Sequence, residues 1–126
     1  MNYFSLDEFE CRCKNKHCSG KQPQLVMKPQ LIQALNRIRE EFKEPITVTS
    51  GFRCQDHNTA IGGAKASQHL LGSAADIKPT NSDPGDLDRL YRLCEEEAEI
   101  IGLGDGRKRG FIHVDVRPGK RKKFSY

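Results

Sequence analysis

Leu31, Ile32, Leu35, Ile38 and Phe42 recur at spacings of three and four through KPQLIQALNRIREEF, which predicts an amphipathic helix. Pro29 suits its first turn and Pro45 marks its end. Residues 46–50, ITVTS, alternate Ile46 and Val48 against Thr47 and Thr49, the period of a half-buried strand that Gly51 closes. From 52 to 72 the periodicity disappears and the chain reads as loop, with Gly62, Gly63 and Gly72 permitting tight turns. SAADIK resumes a short strand that carries Ala75 and Ile77 to the core. Ser82 or Asp83 caps a second helix with Pro84 in its first turn, and Leu87, Leu90, Leu93 and Cys94 form its apolar face. IIGL, residues 100–103, is a short strand, GDGRKRG a loop, and FIHVDVR a last strand. In that strand Ile112, Val114 and Val116 share one face, and Phe111, His113, Asp115 and Arg117 the other.

These elements predict an α+β fold. Strands near 46, 74, 100 and 112 form a small antiparallel sheet, and helices near 29 and 84 pack on one of its faces. Upstream, Ser5 and Glu8 make a capping box for a short helical turn, with Leu6 and Phe9 as its apolar contacts. The stretch CRCKNKHCSGKQPQ is loop. The expectation is a single domain, 1–126, with an N-terminal docking segment and Cys-containing loop (1–28), a core (29–117) and a basic tail (118–126).

With 126 residues, 36% hydrophobic and 30% charged, one core is enough to fold the chain. The net charge of +4 is uneven, because residues 107–123 hold eight Lys or Arg against the single acid Asp115. A basic end of this kind reads as a solvated tail or a contact for an anionic polymer. No aromatic array accompanies it, so a nucleic-acid partner is not expected. The opening MNYFSLDEFE lacks a basic region followed by an apolar run, and no run of 18 apolar residues occurs. The expected product is a monomer made in the cytoplasm without a signal peptide and without membrane insertion.

Candidate chemistry centres on the histidines. SQHLLGSAADI places His69 and Asp76 seven residues apart around a Gly-containing turn, so both side chains can face one point, and His113 stands on the polar face of the last strand. Two imidazoles and a carboxylate supply three zinc ligands with a fourth position open, the arrangement of a catalytic site. The plainer alternative is two partly buried histidines and a strand-end aspartate. A second group, Cys11, Cys13, His17 and Cys18, has donors suited to a structural zinc, but one residue between Cys11 and Cys13 is cramped. A disulfide from Cys11 or Cys13 to Cys18, or free thiols, are the other readings, and a second zinc is not expected. Cys54 and Cys94 read as small buried hydrophobes. His57 reads as a loop residue.

Taken together, SGFR (50–53), Asn58 with GGA (62–64), SQHLLGSAADI (67–77) and FIHVDVR (111–117) resemble the zinc D-Ala-D-Ala carboxypeptidase family. That family shares its fold with Hedgehog signalling domains and includes phage endolysins. FSLDEFECRC is similar to the opening of its phage-type members. The resemblance implies zinc held by His69, Asp76 and His113, with Arg53 gripping a substrate carboxylate or orienting a carbonyl, as a guanidinium fork is suited to do. It implies that Ser67 lines the site or satisfies its loop.

Many members carry an acidic general base three residues before the last histidine, where this chain has Gly110. Asp115 is the nearest replacement, with orientation of the His113 ring as its other role. Asp105 is a weaker candidate for the base. The implied function is hydrolysis of a peptide bond in peptidoglycan stem peptides, of D-Ala-D-Ala carboxypeptidase or endolysin type, on a cell wall reached after release or in a phage particle. The alternative is a non-catalytic zinc-containing binding module of the same fold.

Overall fold

The computed structural model describes residues 2–126. After a 3-10 turn at Leu6–Phe9 come α1 (Pro23–Val26), α2 (Pro29–Phe42), β1 (Ile46–Ser50), α3 (Gln55–Ala60) and β2 (Ala74–Pro79). Then follow α4 (Asp86–Glu96), β3 (Gly102–Gly106), β4 (Phe111–Asp115) and β5 (Lys122–Ser125). The strands form one sheet in the order β1-β2-β4-β3-β5. The fold is α+β, and four of its strands pair antiparallel as expected.

Strand alternation gives the sheet two unlike faces. Val48, Ala75, Ile77, Leu103, Ile112 and Val114 pack in one buried cluster with Leu31, Leu35, Ile38 and Phe42 of α2 and Leu90 and Cys94 of α4. Asp76, His113 and Asp115 project from the other face. The stripe on α2 predicted from its period is the buried one, and Lys43, in the left-handed region at φ 64°, ends that helix. The capping box also forms: the Ser5 N–H donates to Glu8 Oε2 at 2.7 Å. It sets Phe9 into the core, where its carbonyl accepts the Phe52 N–H at 2.9 Å.

The structure differs from expectation in three places. The strand expected at 100–103 lies at 102–106 and takes in part of the predicted loop GDGRKRG, the rest of which includes a 3-10 turn at Arg107–Arg109. The stretch expected as loop between 52 and 72 contains α3, whose only buried residue is Asn58. The expected solvated tail supplies β5, which pairs parallel with β3 and so makes the sheet mixed. Arg121 holds it there: its guanidinium donates to the carbonyls of Cys94 (3.3 Å), Glu97 (3.2 Å) and Ile100 (2.9 Å), at and beyond the end of α4. Lys123 adds an ion pair to Glu95.

Candidate metal centre

The register of β2 on β4 places Asp76 directly opposite His113, on the face away from the helices. His69 arrives from the 3-10 turn Gln68–Leu71 just before β2, and the Ser67 hydroxyl caps that turn by accepting the His69 N–H at 3.2 Å. All three are buried. Asp76 Oδ1 lies 3.3 Å from His69 Nε2 and 3.2 Å from His113 Nδ1.

The other ring nitrogens fix the tautomers. His69 Nδ1–H donates to the Gly51 carbonyl at 2.7 Å, and a carbonyl can only accept. His113 Nε2–H donates to Asp115 Oδ2 at 2.7 Å. In its neutral form each imidazole therefore turns its unprotonated nitrogen toward Asp76, as metal-binding histidines do. Zinc with bonds of about 2.0–2.1 Å in a tetrahedron needs ligand atoms about 3.3 Å apart. The two spacings to Asp76 Oδ1 fit, and all three ligand atoms lie within 4.8 Å of one another.

The electrostatics point the same way. Burial raises the pKa of Asp76, but the hydrogen bonds that the imidazolium forms of His113 and His69 donate to it outweigh burial and hold the carboxylate well below its usual range. Burial lowers the pKa of His113, yet its bonds to Asp115 and Asp76 outweigh that and raise it. The centre attracts positive charge.

Behind His113, Asp115 is fully buried with both oxygens engaged. Oδ1 accepts from the Arg117 N–H (3.1 Å) and Nε (2.8 Å), and Oδ2 accepts from Arg117 Nη2 (2.7 Å) as well as from His113. Burial opposes ionisation of Asp115, but Arg117 and His113 outweigh it and depress its pKa strongly. Of the two roles that sequence left to Asp115, this geometry matches orientation of the ring. Asp105 is also engaged, with its oxygens on Arg107 Nε (2.9 Å) and Nη2 (2.7 Å), which lowers its pKa to about 2.

On the opposite side Arg53 Nη2 donates to Asp76 Oδ2 at 3.2 Å, Nε to Ser50 Oγ at 3.1 Å and Nη1 to Asn58 Oδ1 at 3.4 Å. The buried Asn58 in turn donates to the Ala64 carbonyl at 2.8 Å, joining the arginine to the Gly62–Gly63 turn. Arg53, Ser67, His69, Asp76 and His113 share the wall of one cavity of about 630 Å³. Arg109, Arg117, Lys122, Phe111, Phe124 and Tyr126 complete much of it.

Sequence reasoning left Asn58, Arg117, Phe124 and Tyr126 without a role in the site. It also missed the glycines of GLGDG, although their alternation was a readable signal. Gly102, Gly104 and Gly106 pair with Asp115, His113 and Phe111 across β3 and β4. A Cβ on Gly102 would lie 2.1 Å from Asp115 Oδ2, and one on Gly104 would lie 2.7 Å from the Phe124 ring that packs over His113. Side chains there would occupy the space of the site itself.

The cysteines are arranged differently from expectation. All five are free, and the thiols of Cys11, Cys13 and Cys18 meet that of Cys54 and not His17, which is exposed. Only Cys94 is the buried hydrophobe expected, because Cys54 is half-buried. His57 lies in α3.

No curated protein matches the chain. The sequence profile of the family described as peptidase M15 matches residues 2–115. The match covers the docking segment, the three candidate ligands and Asp115, and the chain belongs to the peptidase M15 family, metallopeptidases of the zinc D-Ala-D-Ala carboxypeptidase type.

Proposed function

We propose that the protein hydrolyses a peptide bond in peptidoglycan stem peptides at a zinc site formed by His69, Asp76 and His113. The observation that carries this reading is the pair of fixed tautomers, which aims His69 Nε2 and His113 Nδ1 at one oxygen of Asp76 at tetrahedral spacing. Zinc held there supplies Lewis acidity to the scissile carbonyl and lowers the pKa of water to about 7. Three protein ligands beside a cavity leave a position for substrate.

The cavity wall supports a substrate rich in carboxylates, as stem peptides are. Arg53, Arg109, Arg117 and Lys122 put cationic groups on it, and Phe111, Phe124 and Tyr126 add apolar surface. Arg53 is fixed by Ser50, Asn58 and Asp76, so its fork meets a substrate carboxylate or carbonyl without first being ordered. Asp115 serves as a positioning residue. Its hydrogen bonds are filled and its pKa is depressed, so it is a poor acceptor for a proton from water.

One observation favours the second reading, a zinc-containing binding module. Among the described residues lining the cavity, Asp76 is the sole carboxylate, and Gly110 occupies the position of the family's usual base. Incubating the protein with muropeptides, with and without a chelator, separates the two readings. Chelator-sensitive release of D-Ala indicates a carboxypeptidase, and release of a stem peptide an endopeptidase. Stoichiometric zinc without turnover leaves the binding module.

A further inference from the structure

We propose that Cys11, Cys13, Cys18 and Cys54 form a second zinc site, a structural one closed by four thiolates. Their sulfurs all lie within 4.8 Å of one another. A tetrahedral zinc with bonds of about 2.3 Å sets its sulfurs about 3.8 Å apart, so a small contraction brings the four onto one ion. Disulfides, the competing use of paired cysteines, are not formed.

Three of the four sulfurs accept backbone N–H groups. The Cys54 N–H donates to Cys11 Sγ at 3.4 Å, the Gly20 N–H to Cys18 Sγ at 3.3 Å, and the His57 N–H to Cys54 Sγ at 3.4 Å. Peptide N–H groups aimed at sulfur favour the thiolate over the thiol. Such donors also orient metal ligands from outside. Lys21 Nζ donates to the carbonyls of Cys11 and Cys13, the latter at 2.6 Å, which fixes the short turn between them and adds positive charge beside the sulfurs. That contact explains how two cysteines separated by one residue can serve one ion.

Four protein sulfurs leave no position for substrate, so the role is structural. The ion would fasten the loop 11–18 to residue 54, next to Arg53. Phe52 is already bonded to Phe9 in the same region, and the Arg53 N–H donates to the His69 carbonyl at 3.1 Å. The site would thus hold the docking segment against the turn that presents Arg53 to the cavity.

The test is metal content together with Co(II) spectroscopy on the full chain, purified under reducing conditions. The wild-type protein is expected to bind about two zinc ions. Exchanged with Co(II), it should show the intense sulfur-to-cobalt charge-transfer absorption of a tetrathiolate site. Cys13→Ser and Cys54→Ser each lose that absorption and one metal equivalent. His113→Ala loses the other equivalent and keeps the absorption, and His17→Ala keeps both. Absence of thiolate charge transfer in folded, reduced wild-type protein overturns the proposal, as does its loss in His17→Ala with retention in Cys54→Ser. The wild-type spectrum decides even where a cysteine variant fails to fold. An intact thiolate band without a His113-dependent ion supports the cysteine site and removes the peptidase reading, so the two fail separately.

Discussion

Asp76 and His113 meet because they are register partners on adjacent strands, with His69 delivered by the turn that enters β2. Cys11 and Cys54, by contrast, are 43 positions apart and meet through packing of two loops. The first cluster is buried and open to a cavity. The second is half-buried except for Cys11 and closed on itself, and none of its four cysteines lines that cavity, although Cys54 adjoins Arg53. A sheet fixes the distance between reacting groups, whereas loops bring together ligands whose work is to tie segments down.

The sharpest way to break this comparison is to remove a sheet-borne ligand. His113→Ala should abolish zinc at that centre and, since the metal's charge stabilisation is worth several kcal/mol, lower muropeptide hydrolysis on the order of a thousandfold or more. Zinc analysis and turnover of the purified variant check this. Residual turnover near the wild-type level would show that the sheet centre is not the reacting one.

Asp115→Asn should act less strongly. The amide keeps the shape but weakens the hold on His113 Nε2–H and on Arg117, and loss of such outer partners costs roughly 10–100-fold in metal affinity or activity. Zinc titration against a competing chelator measures it. A variant with unchanged zinc affinity and full activity would remove Asp115 from the site's machinery.

Gly102→Ala tests the same carboxylate from the neighbouring strand. The added methyl falls 2.1 Å from Asp115 Oδ2, so Asp115 must move, and overpacking of this kind costs typically about 1–3 kcal/mol. A lower midpoint in urea together with weaker zinc binding is expected. Gly110→Ala, where a Cβ meets nothing within 4 Å but φ is +83°, should cost stability without disturbing zinc.

What could be read from the sequence divides along the same line. His69, Asp76 and His113 were legible because a strand's period of two assigns faces, and because a motif joined two of them across one turn. The α2 helix was legible from Leu31, Leu35, Ile38 and Phe42. The α3 helix was not, since QDHNTA buries only Asn58 and carries no apolar stripe. Strand β3 was misplaced because GLGDG has poor strand propensity, its glycines being set by the side chains of β4 opposite. Strand β5 was hidden because KKFS is an edge strand, where lysines are common. Its attachment depends on Arg121 reaching carbonyls that no periodicity reveals. Cys54 was misread as an isolated hydrophobe because its partners lie far off in the chain.

Asp105 supplies the smallest test, and the one that separates the two sheet carboxylates. It faces Arg107 and not His69, Asp76 or His113, and that pairing lowers its pKa to about 2. A depressed carboxylate pKa means that the folded state binds fewer protons than the unfolded state. The stabilisation is therefore present above the unfolded value of about 3.9 and is lost as the pH falls through the folded value near 2. Because the pair is partly exposed, solvent screens it to about 1 kcal/mol or less. Asp105→Asn should leave zinc content and turnover near wild type and flatten only this acid limb in urea melts taken between those two values. A loss of turnover at neutral pH, with zinc retained, would instead assign the base for peptide hydrolysis to Asp105.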